Sequence, residues 1–314
     1  MRGEVFDGRG LVKSAMSGSN DKAKQAVHDV DLDIKLGTIA GGGELPVVLA
    51  EHCAAANRQY FVARITPYAD AALNAHPGSD NGLGHMGGRM QAMREAGVDA
   101  VVLIGQVPRP DVSSLDLDNG AIAMLPAIMA ALPQGDDALL RAILSEHERA
   151  GFQVVGAEAV MGDLLAPEGA WGAIAPTPAH LKDIAKGAQV AHAIGAFDIA
   201  QGVVVCDGHV LALEAAEGTD EMLKRVATLP IALRGTPEQR RGVLVKRPKP
   251  IQERRIDLPV VGLRTLDGPP PAGLAGVAVE AHGALAVRRA DMIAEADKRG
   301  LFLYGFTRTE AGDV

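Results

Sequence analysis

Short apolar runs that alternate with helical segments constrain the fold of this chain more than any other feature. The run KLGTIA at 35–40 ends in three glycines, and residues 45–57 follow it with helical spacing of apolar side chains. Further apolar runs, separated by segments with helical patterning, occupy 59–65, 99–105 and 152–157. Strands and helices in this order are typical of a parallel sheet with helices on its faces. We therefore predict an α/β fold with a parallel sheet in the N-terminal half.

The alternation stops at 165–178, a segment rich in proline and glycine, and we predict a hinge there. The hinge would separate an N-terminal domain at 34–164 from a C-terminal domain at 179–306. In the second domain, a helical segment at 180–195 is followed by two apolar runs that an Asp-Gly pair at 207–208 joins. Asp-Gly supplies the positive φ angles of a tight turn, so we predict a hairpin and a mixed α/β domain.

The two ends of the chain lack these patterns. Residues 1–33 are polar, carry charges of both signs and show no clear period, so we predict a disordered extension there. Residues 307–314 are predicted to form a frayed tail. The N-terminus has no apolar core of a signal peptide, and the apolar stretch at 120–132 is shorter than the ~20 residues that span a bilayer.

Composition argues against several classes of function. The 314 residues include 31 basic and 39 acidic side chains, a net charge of −8, so the global basic footprint of a nucleic-acid-binding protein is absent. Aromatic residues make up only 3%, which disfavours a base-stacking platform. The two cysteines, Cys53 and Cys206, lie far apart in the sequence, which argues against a disulfide framework or a thiolate zinc site and fits a reducing cytoplasm.

Two loops that follow predicted strands are candidate anion sites. Gly42 and Gly43 lie between the first strand and a helix, where exposed backbone N–H groups suit a phosphate. The turn lacks the Gly-Lys-Ser/Thr of a Walker loop, and Pro46 replaces the third glycine of a dinucleotide fingerprint, so a merely tight turn is the alternative. Arg109, which lies between two prolines, is either a fixed anion contact or a solvated loop arginine.

An acidic run lies where the second strand of the predicted hairpin passes into a helix. It contains Glu214, Glu217 and Asp220, together with Thr219. One interpretation is structural: Thr219 or Asp220 caps the helix, and carboxylates there favour the helix dipole. That interpretation leaves Glu214, the last residue of an apolar strand, unexplained. The other interpretation is that these oxygens converge on a hard cation such as Mg²⁺, which usually keeps several waters.

A basic segment at 234–255 contrasts with the acidic character of the whole chain. It holds eight Lys and Arg residues, Lys246 and Lys249 among them, against two Glu residues, which indicates a focused anion site. A solvated charged face is the alternative. Cations beside a carboxylate site are the groups that phosphoryl chemistry needs. The chain has no HExxH pattern and no GxSxG elbow, so acyl transfer has little support.

Four motifs resemble those of a known family: IAGGGELP, DIAQGVVVCDGHVLALEAAEGTD, GVLVKRPKPIQERRIDLPVVG and AGLAGVAVEA. They are similar to the alternative UDP-2,3-diacylglucosamine pyrophosphatases of lipid A biosynthesis, and the resemblance runs from about Ile34 to about Phe306. It implies a Rossmann-like N-terminal domain, a C-terminal domain of its own fold, and a lipid nucleotide held between them. It also implies Mg²⁺-assisted hydrolysis, with Mn²⁺ as an alternative ion, that yields UMP and 2,3-diacylglucosamine 1-phosphate (lipid X).

The resemblance and the residue types together suggest roles for the candidates. Asp220, which closes the EGTD motif, matches the essential aspartate of the family. It would bind the metal or orient the attacking water, with Glu214 and Glu217 as partners and Glu214 as a second metal ligand. The predicted substrate-binding residues are Lys246, Lys249 and Arg255 on phosphate oxygens, Gln201 and Gln252 on the uracil or sugar, and Gly42, Gly43, Arg109 and Thr219.

The same resemblance implies a location and partners. UDP-2,3-diacylglucosamine lies in the inner membrane of Gram-negative bacteria, so we expect a cytoplasmic enzyme that is peripheral to that membrane, does not span it and binds no nucleic acid. A homodimer is left open. Two other functions also stay open: another UDP-sugar phosphotransfer enzyme, which would need an acceptor, and a non-catalytic nucleotide-sugar sensor, which would need the basic clamp but not the carboxylates.

Overall fold

The computed structural model describes residues 34–108 and 111–313, and the first sheet of the protein is parallel. Its strands are β1 (Leu36–Ala40), β2 (Tyr60–Thr66), β3 (Gly78–Gly82), β4 (Ala100–Ile104) and β5 (Gln153–Val154). They pair in the order β3-β2-β1-β4-β5, which is a Rossmann-like order. The helices of this part are α1 (Glu44–Ala55), α2 (Met86–Glu95), α3 (Asn119–Ala131), α4 (Asp136–Arg149) and α5 (Ala157–Val160), with 3₁₀ turns at Ala71–Ala75, Val112–Ser114, Leu132–Gln134 and Gly162–Leu164.

The central strands are buried on both faces, as the apolar runs predicted. All five residues of β1 are buried. Leu36 belongs to one hydrophobic cluster with the side chains of α1, whereas Ile39 belongs to another with Met90 and Met93 of α2. Successive residues of a strand point to opposite faces, so a strand covered by helices on both sides reads as a continuous apolar run.

The second sheet is mixed. Its strands are β6 (Gly169–Ala170), β7 (Gly202–Cys206), β8 (His209–Leu213), β9 (Val243–Lys246), β11 (Gly276–Glu280) and β13 (Phe302–Phe306), in the order β6-β13-β11-β9-β7-β8. A separate parallel pair is formed by β10 (Val260–Val261) and β12 (Leu285–Ala286). The helices are α6 (Pro178–Gly195), α7 (Gly218–Ala227), α8 (Pro269–Ala272) and α9 (Arg289–Arg299), with a 3₁₀ turn at Leu263–Asp267. The α/β class and the predicted hairpin are confirmed, because β7 and β8 pair antiparallel around Asp207 and Gly208.

Two segments are more ordered than the sequence indicated. The proline- and glycine-rich segment at 165–178 contains β6, which pairs with β13, and Ala166 in it is fully buried. Within the part of the predicted tail that the structure describes, 307–313, Ala311 is fully buried and Asp313 forms an ion pair with the buried Arg247. The expectation of fraying is therefore wrong for these residues. The predicted extension at 1–33 lies outside the described residues.

The two sheets are linked through a shared core and through ion pairs. Leu258, Leu285 and Val287, from the second half of the chain, belong to the hydrophobic cluster that contains Leu36 of β1. Arg288 donates from Nε to Glu44, and its Nη2 lies 3.0 Å from a carboxylate oxygen of Glu51, both on α1. These contacts fix the second half of the chain against the carboxyl edge of the first sheet. In the ranges that the structure describes, no helix combines the length and the apolar character that crossing a bilayer requires.

Candidate active site

A cleft of about 540 Å³ lies between the two sheets. The N-terminal part contributes the loops that follow β1, β4 and β5, which is the edge where ligands bind in parallel sheets. The C-terminal part contributes the acidic run, the end of β9 and residues from 254–265. The cleft brings together most of the predicted site residues: Gly42, Gly43, Gln201, Glu214, Glu217, Thr219, Asp220, Lys246 and Arg255.

The glycine turn after β1 lies directly against the loop after β4. The N–H of Gly41 donates to the carbonyl oxygen of Ile104 at 2.9 Å, and the N–H of Gly42 donates to that of Gln106 at 2.8 Å. A Cβ atom at Gly41 would lie 2.8 Å from the Gln106 oxygen, too close for a side chain. The tight-turn interpretation therefore accounts for the N–H of Gly42, whereas Gly43 lies at the start of α1 with a φ of 93° and lines the cleft.

The acidic run does not cap α7 in the predicted way. The N-cap position is Glu217, no side chain caps the helix, and Thr219 and Asp220 both lie in the first turn. The capping interpretation is therefore wrong for both residues. Asp220 still lies where a carboxylate interacts favourably with the helix dipole.

The hydroxyl group of Thr219 joins the acidic run to the basic segment. It donates to Oε1 of Glu214 at 2.6 Å and accepts from Nζ of Lys246 at 2.9 Å. Glu214 and Lys246 are both buried, with 8% and 6% of their surface exposed. The other carboxylate oxygen of Glu214, Oε2, is buried and has no hydrogen-bond partner among the described residues. A buried carboxylate oxygen without a donor is costly, so it is a natural place for a bound cation or a substrate donor.

The other two acidic residues of the run, Glu217 and Asp220, differ in solvent exposure and in their ion-pair partners. Glu217 accepts a 2.6 Å bond from Arg225, and its own backbone N–H together with Arg225 lowers the pKa of its carboxyl group. Asp220 is two-thirds exposed, and its nearest ion-pair partner, Arg264, lies 3.5 Å away. Asp220 is therefore freer than Glu217 to contact a ligand in the cleft.

Within the part of the chain that the structure describes, four cationic side chains line the cleft: Lys246, Arg254, Arg255 and Arg264. Arg255 bonds Glu253 at 3.1 Å and also Glu148 of α4 at 2.8 Å, and the bonds to Glu253 and Glu148 raise its pKa further above its ordinary value. Arg254 donates from Nη2 to the carbonyl oxygen of His282 at 2.9 Å. The two neighbours thus present different electrostatics, because Arg255 has two carboxylate partners while Arg254 has a neutral one.

Lys249 and Gln252, two of the predicted substrate contacts, do not line the cleft. The Nζ atom of Lys249 forms an ion pair with Asp198, both largely buried, so its charge is already neutralised. Gln252 accepts from the N–H of Lys249 at 2.8 Å and donates to Asp257, so it braces the segment from inside. We call residues 249–257 the strap. Arg109 lies outside the described residues.

The strap is attached to α4 of the N-terminal part. The N–H of Glu253 donates to Oδ1 of Asp137 at 2.8 Å, and Arg141 donates to the carbonyl oxygen of Ile251. Asp137 in turn accepts from Arg141 at 2.6 Å. The prolines on either side of Lys249 therefore brace a strap that joins the two halves of the chain. Within this strap, the ammonium group of Lys249 pairs with Asp198.

Comparison with known proteins gives a consistent result for both halves of the chain. The family model described as "LpxI N-terminal domain" matches residues 35–164, and that described as "LpxI C-terminal domain" matches residues 167–304. A protein from Caulobacter vibrioides, the UDP-2,3-diacylglucosamine pyrophosphatase LpxI, is 51% identical over 271 residues, which cover 86% of this chain and 97% of that protein. The chain belongs to the LpxI family. The resemblance drawn from the four motifs is thus confirmed at the level of the family.

The cleft of this LpxI-family chain contains carboxylates that could bind a metal ion. Among the described residues, no group of three or more His, Cys, Asp or Glu side chains is placed to hold a metal ion. Mg²⁺, however, is commonly bound by one or two carboxylates, several waters and the phosphates of a substrate. The unpartnered Oε2 of Glu214 and the open carboxylate of Asp220 are oxygen donors of that kind. The residues of this LpxI-family chain therefore fit a hydrated ion that the substrate completes, and do not fit a site made of protein ligands alone.

Among the described residues, five charged side chains line the cleft of this LpxI-family chain without having been predicted as site residues: Glu44, Glu158, Arg254, Asp257 and Arg264. Arg254 could have been found, because it adjoins Arg255 in the basic segment. Burial raises the pKa of both Glu158 and Asp257, and a hydrogen bond from Gln252 offsets part of this for Asp257. Nothing in the pattern around Glu158 or Arg264 marks them, since only the tertiary fold brings them to the cleft.

Proposed function

We propose that this LpxI-family chain is a hydrolase that cleaves the pyrophosphate bond of UDP-2,3-diacylglucosamine, and that it releases UMP and lipid X. The observation that carries the proposal is that, among the described residues, the carboxylates of Glu214 and Asp220 meet four cationic side chains in one interdomain cleft. The kinship with the Caulobacter enzyme supplies the substrate. A diphosphate repels nucleophiles through its charge, and such a cleft offsets that charge.

The residues divide the chemistry between them. Lys246, Arg254 and Arg264 hold the diphosphate oxygens and stabilise the negative charge that grows on them. Asp220 orients a water molecule and accepts its proton at a carboxylate oxygen as the new P–O bond forms and the bridging P–O bond breaks. Thr219 fixes the Lys246 ammonium group at 2.9 Å from its hydroxyl, so the cation is preorganised.

We include Mg²⁺ in the proposal, with Mn²⁺ as an alternative, and Asp220 and Glu214 are the residues that would hold it. When bound, such an ion neutralises phosphate charge and lowers the pKa of a coordinated water. The support is that Glu214 and Asp220 both line the cleft, that one buried oxygen of Glu214 has no hydrogen-bond partner among the described residues, and that Asp220 is exposed.

The location follows from the substrate in the same proposal. UDP-2,3-diacylglucosamine and lipid X each carry two acyl chains, so the enzyme works on the cytoplasmic surface of the inner membrane as a peripheral protein. The apolar side chains that line the cleft, Leu45, Ile256, Leu258, Val260 and Leu285 among them, offer surface for those chains. Binding of the purified chain to vesicles that contain the substrate, compared with vesicles that lack it, tests this part.

The central test is turnover by the purified full chain. We expect release of UMP and lipid X from UDP-2,3-diacylglucosamine in buffer with Mg²⁺, and loss of both products when the ion is chelated. Reaction in ¹⁸O-water followed by mass spectrometry shows which product gains the label and therefore which phosphorus is attacked. Binding without turnover would indicate a sensor, and release of UMP only with an added acceptor would indicate a transferase.

A further inference from the structure

Glu158 occupies a distinctive place in the cleft. It lies in α5, directly after β5, at the same edge of the parallel sheet as the loops after β1 and β4. It lines the cleft together with Gly42, Gly105 and Gln106 from those loops. This edge of the wall belongs to the N-terminal sheet, whereas the acidic run and Lys246 belong to the C-terminal one.

Glu158 differs from the other cleft carboxylates in its partners. Each of the others has a side-chain partner: Glu44 with Arg288, Glu214 with Thr219, Glu217 with Arg225, Asp220 with Arg264 and Asp257 with Gln252. Within the described residues, the hydrogen bond that lowers the pKa of Glu158 comes from its own backbone N–H, and Arg254 acts on it only as a nearby charge. Its oxygens lie so close to Gly156 that a Cβ atom there would meet them at 2.2 and 2.4 Å. Gly156 therefore leaves room for this carboxylate at the cleft.

The chemistry of a carboxylate limits what Glu158 can bind. An ionised carboxylate only accepts hydrogen bonds, and it repels phosphate oxygens. In a substrate with a diphosphate at its centre, the groups that suit it are the hydroxyl and N–H donors on either side. In open parallel sheets, ligands bind in the crevice outside the carboxyl ends of the strands, and in Rossmann-like sheets that ligand is commonly a nucleotide. The donors in question are therefore the ribose hydroxyls and the N3–H of uracil.

We infer that Glu158 is a specificity-determining residue that accepts a hydrogen bond from the uridine part of the substrate. The inference rests on the proposed function for the identity of the ligand, and it assigns the nucleotide to the N-terminal wall of the cleft. A site that reads a donor with a buried acceptor discriminates strongly against ligands that lack the donor, because the acceptor is then left without a partner.

The test is UMP binding to the full chain by titration calorimetry. Glu158→Gln keeps the size of the side chain and removes its charge, and we expect the Kd for UMP to rise about tenfold or more, since bonds to charged acceptors are the strong ones. Glu158→Asp keeps the charge but moves it back by one methylene group, so its Kd for UMP should lie between those of the unmodified chain and Glu158→Gln. This second variant also tests the inference if the Gln variant folds poorly. The matched control is Glu95→Gln, an exposed glutamate at the end of α2 and outside the cleft, which should bind UMP like the unmodified chain. Lipid X affinity should be unchanged in all three variants.

Two analogues identify the donor. If the donor is the ribose 2′-hydroxyl, 2′-deoxy-UMP should bind the unmodified chain about tenfold more weakly than UMP, and Glu158→Gln should show no further loss with it. 3-Methyl-UMP gives the same pattern if the donor is N3–H. Equal UMP affinity in Glu158→Gln and the unmodified chain would overturn the inference, and so would a loss confined to lipid X. Failure of the unmodified chain to hydrolyse UDP-2,3-diacylglucosamine would overturn the proposed function instead, since UMP binding is measured without turnover.

Discussion

The ammonium group of Lys246 donates a hydrogen bond to the hydroxyl oxygen of Thr219 inside the cleft, with 2.9 Å between the two atoms. Because the same hydroxyl donates to Glu214, one small side chain holds a buried cation and a buried carboxylate in register. Neither charge is then left without a hydrogen bond, which is the condition under which charges are tolerated in a protein interior.

Replacing this hydroxyl should lower both activity and stability. Thr219→Val keeps the shape of the side chain but leaves Lys246 Nζ and Glu214 Oε1 without their shared partner, so we expect kcat to fall about tenfold or more and the free energy of unfolding to drop by about 1–3 kcal/mol. Steady-state kinetics and urea unfolding measure the two effects. Thr228→Val, at the other end of the same helix and exposed, is the matched control. Equal kinetics for the two variants would contradict a catalytic role of the Lys246–Thr219 bond.

Asp220 should matter for turnover and hardly at all for folding. It is two-thirds exposed and is not the N-cap of its helix, so Asp220→Asn should change the free energy of unfolding by no more than about 0.5 kcal/mol. Loss of the negative charge should lower kcat about a hundredfold or more with Mg²⁺. Glu221→Gln, the next residue in the same first turn, serves as the control and should keep normal kcat. Full Mg²⁺-dependent turnover by Asp220→Asn would remove Asp220 from the mechanism.

Alanine variants of Lys249 and Arg254 should distinguish a cation that stabilises the fold from one that binds the substrate. Arg254→Ala should raise KM about tenfold with little change in stability, because Arg254 lines the cleft and bonds one neutral carbonyl group. Lys249→Ala should lower the free energy of unfolding by about 3 kcal/mol, because it leaves the largely buried Asp198 without its cation. Kinetics and chemical unfolding on both variants check the pair of expectations. The reverse pattern would return Lys249 to the substrate-binding set.

The same ion pair predicts a dependence of stability on pH. Burial raises the pKa of Asp198, but the hydrogen bonds from Lys249 and from the N–H of Asp137 outweigh it, so the pKa lies below the ordinary 3.8. A carboxyl group with a lowered pKa stabilises the folded state fully above its ordinary value and loses that contribution as the pH falls through the lower one. The difference in unfolding free energy between the unmodified chain and Lys249→Ala should thus be greatest near pH 7 and shrink as the pH falls, because protonation of Asp198 removes the charge that the variant leaves unpaired. A difference that grows in acid would contradict this assignment.

Limited proteolysis should first cut the predicted hinge, residues 165–178, in its second half. In the segment 165–178, Ala166 is buried and β6 is paired with β13, whereas Ala173, Ala175 and Thr177 are exposed. Proteases act on segments that are accessible and easily unfolded, so the first cut should fall at 173–177. N-terminal sequencing or mass spectrometry of the fragments locates it. A first cut inside 200–260 would contradict the predicted division at the hinge.

Sequence patterns predicted the parts of the fold that rest on local signals. The strands β1, β2 and β4 are apolar because both faces are covered, and the hairpin follows from its Asp-Gly turn. The strand β3 has the sequence GSDNG, which carries no apolar signal, and it forms because β2 offers an edge to pair with. The helix α3 contains Pro126, which reads as a break, yet the helix continues through it.

The candidate site divides in the same way. Thr219 and Asp220 lie together in the cleft because they are neighbours along the chain, whereas Lys246 reaches Thr219 from the end of β9. Lys249 was misplaced because the direction of its side chain depends on Asp198, which is 51 positions away in sequence. Glu158 was missed because only the order of strands in the first sheet brings it opposite the acidic run.

The packing of Leu258, Leu285 and Val287 against Leu36 has a consequence for the folding of the chain. The core around β1 draws part of its apolar surface from residues that leave the ribosome more than two hundred positions later. The first half therefore cannot close this core while it is being synthesised, and its completion awaits residue 287. Because this core contains side chains from both halves, unfolding of either half would expose apolar surface of the other, and we expect the two to unfold together. Heating should accordingly give one calorimetric transition for the whole described chain, although its two sheets pair no strands with each other.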